Sequence, residues 1–436
     1  MRTNFTPTQL ADPDMRESEQ ILRNCVHCGF CQATCPTYAL LGDELDSPRG
    51  RIYLIKDMLE NSRPAGPREV KHVDRCLSCL SCVTTCPSDV NYAHLVDHAR
   101  AWIEQTYRRP WPERMLRGLL AWLTPRPGVF RLALRLGRLV KPLSGLLPAP
   151  LRAMTALAPA QVHGPSDADR PQVFAAKGPR RLRVAMLSGC VQPVLAPQIN
   201  EATLRILTRH GCEVVVARGA GCCGALPHHL GKQDPALAMA RANIDAWTAE
   251  IEGEGLDAIV VNASGCGVVV KDYDHMLRED PAYADKAARI AGLAKDPSEI
   301  LQQLGLMAPV LDPGLMVAYH PACSLQHGQR IRETPKAQLR ATGFQVREIA
   351  DAHLCCGSAG LYNILQPEIA GRLRERKVGA IRQAGADLVA TGNIGCMTQL
   401  SGAAGVPVVH TIELLDWATG GPKPAVLANP AKESLK

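Results

Sequence analysis

The run "CVHCGFCQATCP", residues 25–36, places four cysteines in twelve residues, and "CLSCLSCVTTCP", residues 76–87, repeats it at identical spacing. A chain that gathers four thiols twice has little freedom in those loops. Thiols so close either cross-link as disulfides or hold metal. Disulfide scaffolding fits poorly. The N-terminus "MRTNFTPTQLADPDMRESEQ" is polar and lacks the apolar stretch of a secretory signal. Disulfide-dense domains are small, whereas this chain has 436 residues and 46% hydrophobic content, enough for two or three cored domains.

The spacing C-x₂-C-x₂-C-x₃-C-P is one that iron–sulfur clusters use. Three cysteines of a run wrap one cluster and the fourth reaches the other. One four-iron cluster is therefore assigned to Cys25, Cys28, Cys31 and Cys86, the other to Cys76, Cys79, Cys82 and Cys35. Pro36 and Pro87 fix the turn after each fourth cysteine and remove an N–H. Zinc usually takes two C-x₂-C pairs far apart, which eight cysteines in two triplet-plus-one runs do not match. His27 and Gly29 lie between ligands, and His27 is expected to cover the cluster or hydrogen-bond to it rather than ligate it. Such a pair moves electrons one at a time. Nothing in residues 1–110 reads as a substrate pocket.

A second repeat follows. "RVAMLSGC" (183–190) is answered by "MVAYHPAC" (316–323), "GCCG" (221–224) by "LCCG" (354–357), and "VVNASGC" (260–266) by "VATGNIGC" (389–396). The offsets are 133, 133 and 130 residues. Helical stretches such as "APQINEATLRILTRHG" lie between, so each repeat reads β-α-β-α-β-α with a cysteine after each strand. Alternation of this kind predicts a mostly parallel sheet, with ligands at the strands' carboxyl ends. Cys190, Cys222, Cys223 and Cys266 should meet in one lobe, and Cys323, Cys355, Cys356 and Cys396 in the other. Each set is a candidate redox or metal site, and inert buried thiols are the alternative. His228, His229, His320 and His353 are candidate neighbours. "GAGCCG" (219–224) matches a dinucleotide fingerprint only superficially, because Pro227 and two histidines interrupt the helix that should follow.

The expected fold class is α+β and multi-domain. A helical ferredoxin-like two-cluster domain spans 1–110, a basic amphipathic linker 111–178, and two tandem α/β lobes 179–310 and 311–436. No apolar run approaches the ~18 residues that span a bilayer.

Two ferredoxin runs and two CCG repeats on one chain resemble a family of iron–sulfur subunits. It includes those of glycolate oxidase, anaerobic glycerol-3-phosphate dehydrogenase and lactate-utilisation complexes, and heterodisulfide reductase subunits. "CVHCGFCQATCPTYALLGDELDSPRGRIYLIK", "HLCCGSAGLYNI", "NIDAW" and "ASGCG" look most like the glycolate oxidase iron–sulfur subunit. The likeness runs nearly end to end and is weakest across 140–180. It implies a multi-subunit enzyme with an FAD-binding catalytic subunit that oxidises glycolate to glyoxylate and a further flavoprotein-like subunit. This chain, inactive on glycolate alone, would carry electrons towards a membrane surface or quinone acceptor. It would be cytoplasmic and peripheral on the inner face of the cell membrane. The resemblance also implies two [4Fe-4S] clusters on the eight ferredoxin-type cysteines, with a further metal or cluster at the CCG sets. The family's fullest lobes end in CxxC, whereas these end in "CGVV" and "CMTQ", one cysteine short.

The net charge of +7 is local. Between Trp111 and Ala160 stand Arg114, Arg117, Arg126, Arg131, Arg135, Arg138, Lys141 and Arg152 against one acid, Glu113. Leu132, Leu136, Leu139 and Val140 form an apolar stripe with Arg131, Arg135 and Arg138 beside it. A basic amphipathic helix reads as membrane-surface or partner-binding, or as a linker packed on its own protein. A body otherwise neutral, without interleaved aromatics, argues against nucleic acid.

Overall fold

The computed structural model describes residues 1–428 except 141, 143, 144, 146, 149, 150, 153, 156, 157 and 160. Lys141 and the Val140 side chain, both counted in the basic segment, lie outside the described residues.

Among the described residues no strand precedes Gln172. Helices Pro13–Asn24, Pro48–Glu60, Pro67–Asp74 and Tyr92–Thr106 pack around Leu22, Ile55, Met58, Leu59, Leu95 and Val96. The sequence marks their starts. Asp12 accepts from the N–H groups of Asp14 and Met15, and Ser47 from that of Gly50, with a proline opening each helix. Gly50 is required, because a Cβ there would stand 2.1 Å from the Glu44 carbonyl oxygen. Helix Pro48–Glu60 thus lies flush on the loop before it, and Arg51 is driven inwards.

Two parallel sheets follow. The first is built from β1 (Gln172–Phe174), β2 (Leu182–Met186), β3 (Cys212–Val216), β4 (Ala258–Val260) and β5 (Ala294–Lys295), in the order β1-β3-β2-β4-β5. The second has β6 (Met316–Tyr319), β7 (Gln345–Glu348), β8 (Leu388–Thr391) and β9 (Val408–His410), in the order β7-β6-β8-β9. All pairs are parallel except β1–β3. The central strands are buried on both faces, as a sheet covered by helices on both sides requires. Three strands per lobe were expected. Each lobe has a fourth parallel strand, β5 or β9, of two or three residues, too short to show a period. β1, within the span read as linker, adds an antiparallel edge to lobe 1.

The lobes share one core. Val184, Val214 and Ile300 of the first pack in the same cluster as Val317, Leu388 and Leu415 of the second. Helix Gln198–Arg209 lies on helix Thr411–Ala418. There the buried Asp416 carboxylate accepts from Arg205 at 2.8 Å and Arg209 at 2.6 Å.

The basic segment forms helices Trp111–Leu123 and Pro127–Val140. Their outer faces expose Trp111, Met115, Leu119, Trp122, Leu132, Leu136 and Leu139. Arg114, Arg126, Arg135, Arg138 and Arg152 are also exposed. The surface stripe read from the sequence needs a correction at Arg131. It is 8% exposed and donates to the carbonyls of His163 and Pro193 at 2.9 and 3.0 Å. Arg117 likewise turns inwards, onto Glu113 and Asp74. Buried carbonyls and carboxylates need donors, and a long guanidinium reaches them. Among the described residues no helix is long and apolar enough to cross a membrane.

Candidate metal centres

The two ferredoxin-type loops share a backbone path. Each is left-handed at the second and fourth residue after its first cysteine: His27 (φ 56°) and Gly29 (φ 84°), then Ser78 (φ 48°) and Leu80 (φ 60°). Residues with side chains seldom adopt this conformation, and where they do the surroundings enforce it. Here it curls three cysteines around one centre.

The fourth cysteine comes from the other run. One cavity is lined by Cys25, Cys28, Cys31 and Cys86 together with His27, Gly29 and Cys82. The other is lined by Cys35, Cys76, Cys79 and Cys82 with Arg51 and Tyr92. Cys82 borders both cavities. Four thiols around each space are the donor set a four-iron cluster takes. Cys28 is exposed, whereas Cys35, Cys76, Cys79 and Cys82 are buried, so the first centre faces solvent and the second does not. His27 stands edge-on to Tyr53, with ring centroids 4.6 Å apart, on the wall of the first cavity.

Around the second centre lies a polar shell that the cysteine pattern did not announce. Arg51, 1% exposed, aims Nη1 at Cys35 Sγ (3.8 Å), Nη2 at Thr37 Oγ1 (2.9 Å) and Nε at the His72 carbonyl (2.7 Å). Buried Asp46 balances it, held also by His72 and Arg75. Tyr92 donates its hydroxyl to Cys76 Sγ at 3.8 Å, and Arg100 donates to the Cys76 carbonyl at 2.8 Å. Charge and hydrogen bonds at the sulfurs set the potential of such a centre. The one sequence signal was an arginine on the apolar face of "RGRIYLIK".

The CCG cysteines lie in contact within each lobe. In lobe 1 the thiols form a chain of contacts, Cys190 to Cys222, Cys222 to Cys223 and Cys223 to Cys266. Hydrogen bonds from Cys190 and Cys223 hold Cys222 well below the usual thiol range. The Gly224 N–H donates to it at 3.5 Å. In lobe 2 the Cys323 and Cys355 sulfurs are 3.8 Å apart, and Cys356 contacts Cys355 and Cys396. The Gly357 N–H repeats the contact of Gly224, again at 3.5 Å, now to Cys355. Every cysteine of the two sets except Cys222 lines a single cavity of about 740 Å³ between the lobes. The inner faces of the two basic helices, through Leu123, Phe130 and Leu134, wall its apolar side.

Of the four candidate histidines, one joins a cysteine set. His320 is 1% exposed beside Cys356 and Cys396, and burial pushes it down to about 3, so its imidazole is neutral. His228 and His229 face Asp97 instead. His353 is half-buried, and its carbonyl accepts from His327 at 3.1 Å.

Comparison with known proteins agrees with this geometry. Residues 21–90 match the 4Fe-4S dicluster domain, and residues 184–271 and 317–401 each match the cysteine-rich domain of the CCG family. The chain is 44% identical, over 96% of its length and 99% of the relative's, to the glycolate oxidase iron-sulfur subunit of Escherichia coli (strain K12). It is 34% identical, over 93% of its length and 96% of the relative's, to the probable glycolate oxidase iron-sulfur subunit of Bacillus subtilis (strain 168). Lactate utilization protein A of Bacillus licheniformis is 24% identical over 54% of this chain and 99% of its own. Two cysteine-lined centres on a helical domain, two CCG lobes behind them and likeness along almost the whole length lead to one conclusion: the chain belongs to the family of glycolate oxidase iron–sulfur subunits.

Proposed function

We propose that this chain is the electron-transfer subunit of an FAD-dependent glycolate dehydrogenase, receiving electrons from a flavin-bearing catalytic subunit. The observation that carries this is the pair of adjoining thiol cavities, each lined by three cysteines of one run and joined from the other run by Cys86 with Cys82, or by Cys35. Cys25, Cys28, Cys31 and Cys86 would hold one cluster and Cys76, Cys79, Cys82 and Cys35 the second. When bound, such clusters carry single electrons. The protein positions them: Cys82 borders both cavities, and Arg51 places positive charge at the inner one. Exposed Val26 on the wall of the solvent-facing cavity, with exposed Phe30 and Tyr53, offers the catalytic subunit an apolar seat. Two flavoprotein subunits, catalytic and accessory, are the partners this reading requires.

The way out lies at the other end. Cys79 packs in one cluster with Cys355 and Cys323, so the inner centre abuts the cavity between the lobes. That cavity has an apolar side and falls within the ~300–1,000 Å³ of small-molecule sites. The helices that wall it expose apolar residues and arginines on their outer faces, the pattern of a segment lying on an anionic membrane. A quinone drawn from that membrane is the acceptor this arrangement fits. The protein would then be peripheral on the inner face of the cell membrane. A thiol–disulfide enzyme is the second reading, favoured by seven thiols opening into one cavity.

The test uses the complex purified anaerobically with its flavin partner. Glycolate should reduce the cluster signals of the complex and leave those of the isolated chain oxidised. Dye-linked glycolate oxidation by the isolated chain would overturn the subunit reading, and disulfide reduction by it would favour the second.

A further inference from the structure

One buried difference between the lobes lies beside their cysteines. His320 follows β6, and neither Nδ1 nor Nε2 has a hydrogen-bond partner. Leaving a buried polar group unpaired destabilises the fold. A protein keeps such a side chain when something else satisfies it. A His320 nitrogen and the sulfurs of Cys356 and Cys396 all lie within 4.8 Å of one another. Cys355 contacts Cys356, and its sulfur lies 3.8 Å from that of Cys323, so these two extend the set beyond that trio. The residue 133 positions before His320, at the matching strand end of lobe 1, is Leu187, 2% exposed.

We propose that lobe 2 binds an iron–sulfur centre with His320 as its nitrogen ligand beside Cys323, Cys355, Cys356 and Cys396, and that lobe 1 has no such ligand. The chemistry favours this class. Thiolates with one neutral imidazole suit iron or zinc. Five donors exceed the four of a closed tetrahedral zinc site, which points to more than one metal atom. His320 stands where an additional ligand is needed, each lobe's last cysteine being followed by no second one in C-x₂-C spacing. Imidazole in place of thiolate removes negative charge and raises the potential of an iron–sulfur centre. Lobe 2 would then draw electrons from the neighbouring Cys79 side.

The inference rests on the CCG cysteines binding metal and not on the identity of the substrate. The test is pulsed EPR on the full chain, purified anaerobically and reduced stepwise, with iron and zinc counted. Two cubanes account for about eight irons. The expected result is iron beyond those eight and a signal strongly coupled to one nitrogen. His320→Cys should keep the extra iron, lose the nitrogen coupling and shift that signal to lower potential. The wild-type coupling needs no variant, so a misfolded variant does not spoil the test. Iron stopping at about eight, zinc in place of the extra iron, or a coupling that survives His320→Cys overturns the proposal. Normal cubane signals alongside any of these leave the electron-transfer reading standing.

Discussion

The N-terminal unit touches the two lobes by different means. Against lobe 1 it sets ionisable groups. His94 and His275 stack with ring centroids 3.4 Å apart, and both bond to Glu17. Asp272 takes the other His94 nitrogen at 2.9 Å, and Arg278 reaches Glu17 at 2.9 Å. Against lobe 2 no ion pair forms among the described residues, and apolar packing is joined by hydrogen bonds such as Thr84 Oγ1 with His327 Nδ1 at 2.7 Å and Tyr362 to the Arg75 carbonyl at 3.1 Å. Leu77 and Cys79 pack with Cys355, Tyr362, Ile369 and Leu373. Ion pairs depend on pH and salt, whereas apolar burial does not and holds redox groups close in a dry setting. The electron path is thus expected through lobe 2, and the adjustable contact at lobe 1.

The largest effect that would sharpen this comparison comes from Cys79→Ser. It should remove the inner cluster, about four irons, and leave the outer one. Iron analysis and EPR read both. Retention of both clusters would break the assignment of that cavity. Next is Asp416→Asn, which unties the lobes from each other. It leaves Arg205 and Arg209 without their buried partner, at a cost of about 3 kcal/mol. A drop in Tm of about 6–10 °C should follow, and an unchanged Tm would show that apolar packing alone joins the lobes.

Helix Pro127–Val140 rests on lobe 1 through Gln192–Leu195. Changing Arg135 and Arg138 to Gln should weaken binding to anionic vesicles by about 2 kcal/mol, about thirtyfold, at low salt. Arg131 should be left alone, since it ties the helix to the fold. Unchanged vesicle binding would make the segment a packed linker.

The smallest effect is pH. Burial opposes charge on His94, but hydrogen bonds to Asp272 and Glu17 prevail and raise it from 6.5 to about 9. Burial also opposes charge on Glu17, yet His275 and His94 hold it well below the usual 4.5. The His94 contribution is complete below pH 6.5 and fades as pH rises through 9. That of Glu17 is complete above 4.5 and fades in acid. Together they are worth on the order of 1–2 kcal/mol after screening. Hydrogen exchange in helix Pro13–Asn24 should quicken from pH 6.5 to 9, corrected for intrinsic rates, while helix Pro67–Asp74 near lobe 2 should not change. Equal change at both would erase the distinction.

How much of this was legible beforehand varies with distance along the chain. The cysteine runs act over a dozen residues, and their spacing encodes the curl of the loop, so the thiol sets could be read directly. The CCG repeat carried strand ends and thiol sets for the same reason, each cysteine being fixed by the strand before it. Strands β5 and β9 could not be read, because two or three residues carry no period and owe their place to a neighbour already formed. The amphipathic stripe gave the basic helices but not the inward turn of Arg117 and Arg131. Helical periodicity shows a face, not which carbonyls lie beneath it. Tertiary packing alone put Arg51 at Cys35, aimed His320 and not His228, His229 or His353 at a cysteine set, and set lobe 2 against Cys79. Local spacing determined which thiols could meet. Which charges and nitrogens lie beside them was decided by long-range burial, where a polar atom must find a partner among residues far away in sequence.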